Sequence, residues 1–591
     1  MSKTPDIVIA IRDVNAHLID VTLTYICPST DVVFRMPVWT PGSYMVREYA
    51  RHVRDVQVTV DAKPQLCVKS DKRSWCVTAR PGAEVVFQYR VYAYDLTVRT
   101  NHVDDSHAFF NPAAVVMQID HCDGPLQIAV DTPEHWNVAT QLDLHHEPVA
   151  LQDAVRWSYH VPHYDALYDA PFEIGTHRNA RFFVDGIPHD IVIWGTGNED
   201  WLTLVRDIER CTRAVQAHFA HIPYDRYTYI LHLADGAYGG LEHCNSTVCL
   251  VDRWGFSKSR DYEKVLSLIT HEFYHTWNVK RIRPAPLGPF DYGQENYTRM
   301  LWLAEGVTSY YDNLIMCRAG LITPQRYLEL LCEDLRTVRR QQGSAVQSLS
   351  EASFDAWIRY YRPDENSPNV SVSYYIKGAV AAFLLDMAIR EWSNGLRSLD
   401  DVMRLLEARF TLDRPGIPED HTIQTLIAEL IGGNHTAIAA FFAEVIDSTQ
   451  PLDYRAASAT VGLCEDWYLG DEPQSTIGVT LRQDGTRCIV TNVRSGSSAE
   501  RAGIAPFEEL IALDGSRIDS TRWRARMNEY QPGTHVTVHS FRRDELRMTT
   551  LTLEAAPLTA LRLHSLPNPS ASQAAAYQEW LTLPVRTKDE Q

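Results

Sequence analysis

The 591 residues include 45% hydrophobic and 22% charged side chains, a balance that suits a folded chain and excludes wholesale disorder. A formal net charge of −19 argues against nucleic acid and anionic membrane as partners, because both are polyanions. No apolar run of about 18 residues offers a membrane span and no secretory leader is visible, so the expected location is cytoplasmic. The eleven cysteines, scattered without a C-x-x-C pair, agree with that expectation.

From the start to about residue 170 the pattern has period two, as in Ile19, Val21, Leu23 and Tyr25, in Val56, Val58 and Val60, and in Phe87, Tyr89 and Val91. With Pro-Gly pairs at 41–42 and 81–82, this alternation predicts an antiparallel β-sandwich-like domain over 1–170. Within it His145, His146 and Glu147 precede Pro148 and read as an exposed turn rather than a metal site.

The rhythm then changes. Strand-like segments at 191–194 and 227–233 flank a helical stretch near 199–219, and helical periodicity dominates after residue 260, notably at 324–342 and 374–393. Strands followed by helices predict an α+β domain over 171–460. Its first motif is Tyr238-Gly239-Gly240-Leu241-Glu242-His243 at the end of a strand. Gly239 and Gly240 would let the backbone approach a bound peptide, and Glu242 could pair with a free α-ammonium group. Composition alone reads the same segment as a glycine turn followed by surface charge. Cys244 lacks a base and reads as a buried thiol.

His271-Glu272-Phe273-Tyr274-His275 is an H-E-x-x-H motif preceded by Val265, Leu266, Leu268 and Ile269, so it belongs on a helix with a buried side. Two histidines four apart share one face and can grip one ion. Glu305, in Trp302-Leu303-Ala304-Glu305-Gly306, supplies a third ligand, and two histidines plus a carboxylate with one open position is a catalytic zinc set. The expectation is one Zn2+ per chain held by His271, His275 and Glu305, with Glu272 as general base toward a metal-activated water. Asp312 shares the face of Glu305 and reads equally as a group that orients a ligand histidine or as a solvated charge. Lys280, Arg281 and Arg283 read as cations favoured near a helix C-terminus, in preference to a site for a substrate carboxylate. An oxyanion donor is also needed, and both Tyr374 and Tyr375 are candidates.

A third unit over 470–556 reads strand, strand, short helix, strand, turn and resembles a PDZ domain, with 475–479 in the place of the carboxylate-binding loop. The tail at 557–591 has no clear periodicity and is expected to be only partly ordered.

Taken together, H-E-F-Y-H-T-W-N, W-L-A-E-G, G-G-L-E-H and Y-x-K-G, with Trp39-Thr40-Pro41-Gly42-Ser43-Tyr44 and Phe110-Asn111-Pro112 upstream, resemble the PDZ-containing glycyl aminopeptidase family of gluzincins. The resemblance implies that the α+β domain over 171–460 is a thermolysin-like zinc peptidase domain, with zinc ligation by His271, His275 and Glu305, catalysis by Glu272 and transition-state stabilisation by Tyr375. It also places Glu242 at the glutamate of G-x-M-E-N, which holds the substrate amine in related aminopeptidases, although Leu241 and His243 replace the methionine and asparagine. Small N-terminal residues, glycine or alanine, are implied by the family name. The expected partners are peptides with free N-termini and a peptide ligand for the PDZ domain. The competing readings are a zinc endopeptidase that captures substrate through its PDZ domain, and a PDZ-centred interaction protein whose zinc domain is structural.

Overall fold

The computed structural model describes residues 4–412 and 414–582. The N-terminal unit is β-rich. An eight-stranded sheet carries the alternating residues Ile19, Val21, Leu23, Phe87, Tyr89 and Val91 on its buried face, and two four-stranded sheets complete the unit. The large sheet is mixed rather than purely antiparallel: Asp6–Asp13 runs parallel to Leu126–Thr132, a pairing that the long intervening chain permits. His145, His146 and Glu147 lie exposed on the edge strand Leu144–Ala150, not in a turn.

The second unit begins with a five-stranded sheet. Ile187–Trp194, Tyr227–Ala234 and Ser246–Asp252 are parallel, and Tyr238–Glu242 is an antiparallel edge strand. The helix Trp201–His218 and the helix Ser259–Tyr274 pack together, and the second also packs on the sheet and on Val307–Arg318. Apolar residues Val265, Leu266, Leu268, Ile269 and Phe273 are buried on Ser259–Tyr274 as the periodicity requires, and Asp261 in its first turn complements the helix dipole.

The C-terminal unit has its own core around Ile477, Val490, Leu510, Trp523 and Val538. Its principal strands are Val479–Asp484, Arg487–Val493, Glu509–Leu513, His535–Arg542 and Glu545–Thr552, with helices at Ser498–Arg501 and Ser520–Glu529. It is inserted between two paired strands, Leu463–Tyr468 and Ala560–Ser565. The tail, expected to be partly ordered, carries regular structure among its described residues, 557–582. Ala571–Leu581 is a helix whose fully buried Trp580 donates Nε1–H to Tyr310 Oη at 2.8 Å, while Arg318 Nε–H donates to the Trp580 carbonyl at 3.0 Å. One large aromatic anchor fixes this helix, which is why apolar periodicity did not announce it. Residues 583–591 lie outside the described part of the chain.

Candidate metal centre and cleft

The two histidines of H-E-x-x-H sit at the C-terminal end of Ser259–Tyr274, with His275 as its capping residue. Their rings stand nearly perpendicular, centroids 4.6 Å apart. His275 Nε2 is 3.1 Å and His271 Nε2 3.5 Å from Glu305 Oε2. Each ring is oriented from its far side: His271 Nδ1 lies 3.3 Å from Asp312 Oδ2, and His275 Nδ1 lies 2.6 Å from the Asn278 carbonyl. Such outer partners fix which nitrogen would face a metal ion. Asp312 is thus buried against His271 rather than solvated.

Glu305 occupies a π-helical turn, Trp302–Gly306, ahead of Val307–Arg318. The turn sits hard against the start of the helix Ile376–Trp392: a Cβ on Gly306 would stand 2.5 Å from Gly378 Cα, and one on Gly378 would stand 2.8 Å from Gly306 Cα. W-L-A-E-G and Y-x-K-G both end in glycine because their backbones touch, and this contact brings Tyr375 to the side of Glu305. The Tyr375 ring lies 6.2 Å from the His271 ring, and its hydroxyl is 3.2 Å from Tyr361 Oη. Tyr374 is fully buried and bonds Tyr361 at 3.4 Å, whereas Tyr375 is half-buried. Asn278 closes the assembly, its Nδ2 donating to the carbonyls of Leu303 and Ala304 at 2.8 and 3.2 Å.

Across the trio lies the edge strand. A Cβ on Gly240 would overlap the Glu272 carboxylate, so glycine is required where that side chain crosses the strand. Glu242, two residues on and on the same face, is 4% exposed, and its Oε1 has no hydrogen-bond partner among the described residues. Gly42 of the N-terminal unit closes over it, and a cavity of about 480 Å³ beyond Glu242 is lined by Tyr44, Asp169 and Lys280 among others. Gly239 remains partly exposed on the strand.

The electrostatics follow from burial among charges. Burial raises the Glu272 pKa and the neighbouring Glu242 and Glu305 raise it further, against the opposing pull of His271 and His275. Burial would raise Glu305 too, but the two histidines outweigh it and hold the carboxyl low. For His271 burial acts downward, yet the hydrogen bonds to Asp312 and Glu305 win and raise it. Burial raises the Cys244 thiol to about 12, which leaves it protonated.

The basic run after the helix serves neither of its expected roles in full. Lys280 is buried in a 2.6 Å ion pair with Asp169 of the preceding unit. Arg281 ties together the carbonyls of Pro223, Cys244 and Thr276. These cations fasten elements to each other, and only the Thr276 contact is a helix-end interaction. Sequence reasoning missed Arg99 and Tyr361. Neither carries a motif spacing, and both reach the cleft only through tertiary folding.

Residues 6–176 match the model of the peptidase M61 N-terminal domain, and residues 264–381 match that of the M61 glycyl aminopeptidase. No curated protein matches the chain. Among solved structures, an aminopeptidase N family protein from Idiomarina loihiensis is 28% identical with a TM-score of 0.90, covering 98% of this chain and 100% of that one. An M1 zinc metallopeptidase from Deinococcus radiodurans, solved with a Tyr-Ser-Ala substrate, is 13% identical with a TM-score of 0.50 over 76% of this chain and 95% of its own, a likeness of fold. The chain is thus similar to M61 glycyl aminopeptidases in its N-terminal and central stretches, and this similarity supports a metallo-aminopeptidase.

Proposed function

We propose that this chain is a zinc aminopeptidase that removes one small residue, glycine or alanine, from peptides with a free N-terminus. The observation that carries the reading is Glu242. A buried carboxylate without a hydrogen-bond partner on one oxygen, beside a three-donor metal trio but outside it, calls for a cation, and a substrate α-ammonium supplies one. The residue preference rests on the description of the matched family, and the cavity beyond Glu242 makes it a point to measure.

His271, His275 and Glu305 would hold the Zn2+, one per chain. Their donor atoms lie within 4.8 Å of one another, and two nitrogens with one carboxylate oxygen suit zinc that keeps an open position. When bound, zinc polarises the scissile carbonyl and acidifies a neighbouring water. Glu272 takes the proton of the attacking water and returns it to the leaving amine, and a carboxyl raised by burial suits both halves of that task. Tyr375 donates its hydroxyl hydrogen to the developing oxyanion. Glu242, with the Gly239-Gly240 backbone alongside, anchors the amine so that a single residue reaches the bond to be cut.

The C-terminal unit, residues 470–556, is proposed to be a PDZ domain. A groove of about 980 Å³ bounded by Val479, Leu481, Trp523 and Met527 is the place for an extended peptide ligand between strand and helix. All eleven cysteines are unpaired and no described helix is long and apolar enough to cross a membrane, which support a reducing, cytoplasmic setting.

Matched peptides with free and N-acetylated termini, followed by mass spectrometry of the products, test the proposal. Release of single residues from free termini alone is expected. Equal cleavage of acetylated peptides, or cleavage at internal bonds, would establish the endopeptidase reading instead.

A further inference from the structure

Two guanidinium groups from the N-terminal unit stand at the cleft without carboxylate partners. Among the described residues neither Arg47 nor Arg99 has a carboxylate within 4.0 Å, although the molecule pairs many of its other arginines. Arg47 bonds Ser43 Oγ through Nε and Nη2 at 3.2 and 2.9 Å. Arg99 Nη2 donates to the Gly240 carbonyl at 3.0 Å, and a Cβ on Gly239 would stand 3.5 Å from its Nη1. Its Nε is buried without an acceptor. An arginine has five N–H donors, so most of this fork has no protein acceptor.

The loop that carries Arg99 is pinned. Tyr49 Oη donates to the Arg99 carbonyl at 2.8 Å, Asn111 Nδ2 donates to the Val98 carbonyl at 3.0 Å, and Arg99 N–H donates to Thr97 Oγ1 at 3.1 Å. The backbone at Arg99 is therefore fixed, and the Gly240 carbonyl holds one arm of the guanidinium. Its hydrogen bond to the Gly240 carbonyl, at the residue against which the Glu272 carboxylate packs, places it at the reacting end of the cleft. A pinned, largely buried cation with spare donors fits a planar anion, and a carboxylate matches the fork in two-point fashion.

We infer that Arg99, assisted by Arg47, forms a subsite for a substrate carboxylate, and that the substrates it selects are short peptides, dipeptides above all, bound through their own C-terminal carboxylate. The inference rests on the aminopeptidase reading, in which Glu242 fixes the amine. Spacing favours the short substrate. The Gly240 carbonyl that Arg99 grips is two residues from Glu242 on an extended strand, roughly 6.7 Å. A dipeptide extended along that strand spans about 7 Å. Amine and carboxylate would then be held at the two ends, with the scissile carbonyl between them against Glu272.

The test compares kcat/KM for Ala-Phe with that for Ala-Phe amide, and for Ala-Glu amide with that for Ala-Gln amide, in the native zinc-loaded enzyme and in Arg99→Gln. The expected result is a preference for the free acid of about tenfold or more, expressed mainly in KM, that falls to about onefold in Arg99→Gln. Because a ratio is read, a general loss of activity does not imitate this outcome. Should Arg99→Gln fail to fold, the native ratio and Arg47→Gln decide the matter, the latter lowering the ratio in part. A preference confined to the Ala-Glu amide pair and lost in the variant assigns the subsite to an acidic side chain instead of the C-terminus. Equal turnover of both pairs by the native enzyme overturns the subsite while leaving the aminopeptidase intact. Cleavage of none of the four overturns the aminopeptidase reading and the subsite with it.

Discussion

Two clusters in this molecule contain the same set of side chains, two histidines and a glutamate, and only one of them is built like a catalytic centre. In the first, His271, His275 and Glu305 meet at 3.1 and 3.5 Å with the rings nearly perpendicular. In the second, Glu173 accepts from His232 Nε2 at 2.9 Å and from His107 Nδ1 at 3.1 Å, again with the rings steeply crossed, at 79°. The difference lies around them. The first has Asp312 and the Asn278 carbonyl behind the rings and an unused carboxylate oxygen, Glu272 Oε2, in front. The second is sealed at zero exposure, with Trp194 stacked 3.7 Å over His107 and the outer nitrogens His107 Nε2 and His232 Nδ1 unpartnered. A ligand set becomes a metal centre through the groups that orient it and the base beside it. Without them the same residues make a buried hydrogen-bonded joint, here one that fastens strands of the N-terminal unit to Tyr227–Ala234.

The comparison can be broken first by exchanging the carboxylates. Glu305→Gln should abolish bound zinc and peptidase activity together, whereas Glu173→Gln should leave the metal content at one equivalent and cost about 1–3 kcal/mol of stability. Elemental analysis with thermal unfolding reads both, and zinc lost from the Glu173 variant would contradict the division. A smaller effect belongs to Asp312→Asn, which leaves every ligand in place and should lower zinc affinity or turnover by about 10–100-fold. A chelator competition measures it, and native affinity with native turnover would remove Asp312 from the account. The subtlest effect is on pH. For Glu173, burial pushes its pKa up but His107 and His232 outweigh it and hold it at about 2, below the ordinary 4.5. A depressed carboxyl stabilises the fold above its unfolded value, so that contribution should fade as pH falls from about 4.5 toward 2. Glu173→Gln should flatten this part of the stability profile, and an unchanged acid limb would contradict the assignment.

The contrast also explains what could be read from the sequence. His271 and His275 announce themselves because one helix fixes their geometry by spacing alone, and Glu305 because it lies in a second short motif. His107, Glu173 and His232 come from three separate strands, so no local pattern joins them. Arg99 and Tyr361 are hidden for the same reason. The β-rich and helical units are legible from periods of two and 3.6, and the C-terminal unit from the order of its strands and short helix. The ordered tail was not, since its helix buries little beyond Trp580 and Leu581. The roles of Lys280 and Arg281 escaped because their partners, Asp169 and loop carbonyls, are tertiary.

The central claim is that Glu272 performs proton transfer beside a zinc ion it does not ligate. Glu272→Gln keeps the shape of the side chain and removes the base. The account predicts a variant that still binds one zinc per chain and hydrolyses peptides about 10²–10⁴-fold more slowly. A zinc-loaded Glu272→Gln enzyme with undiminished kcat would contradict it.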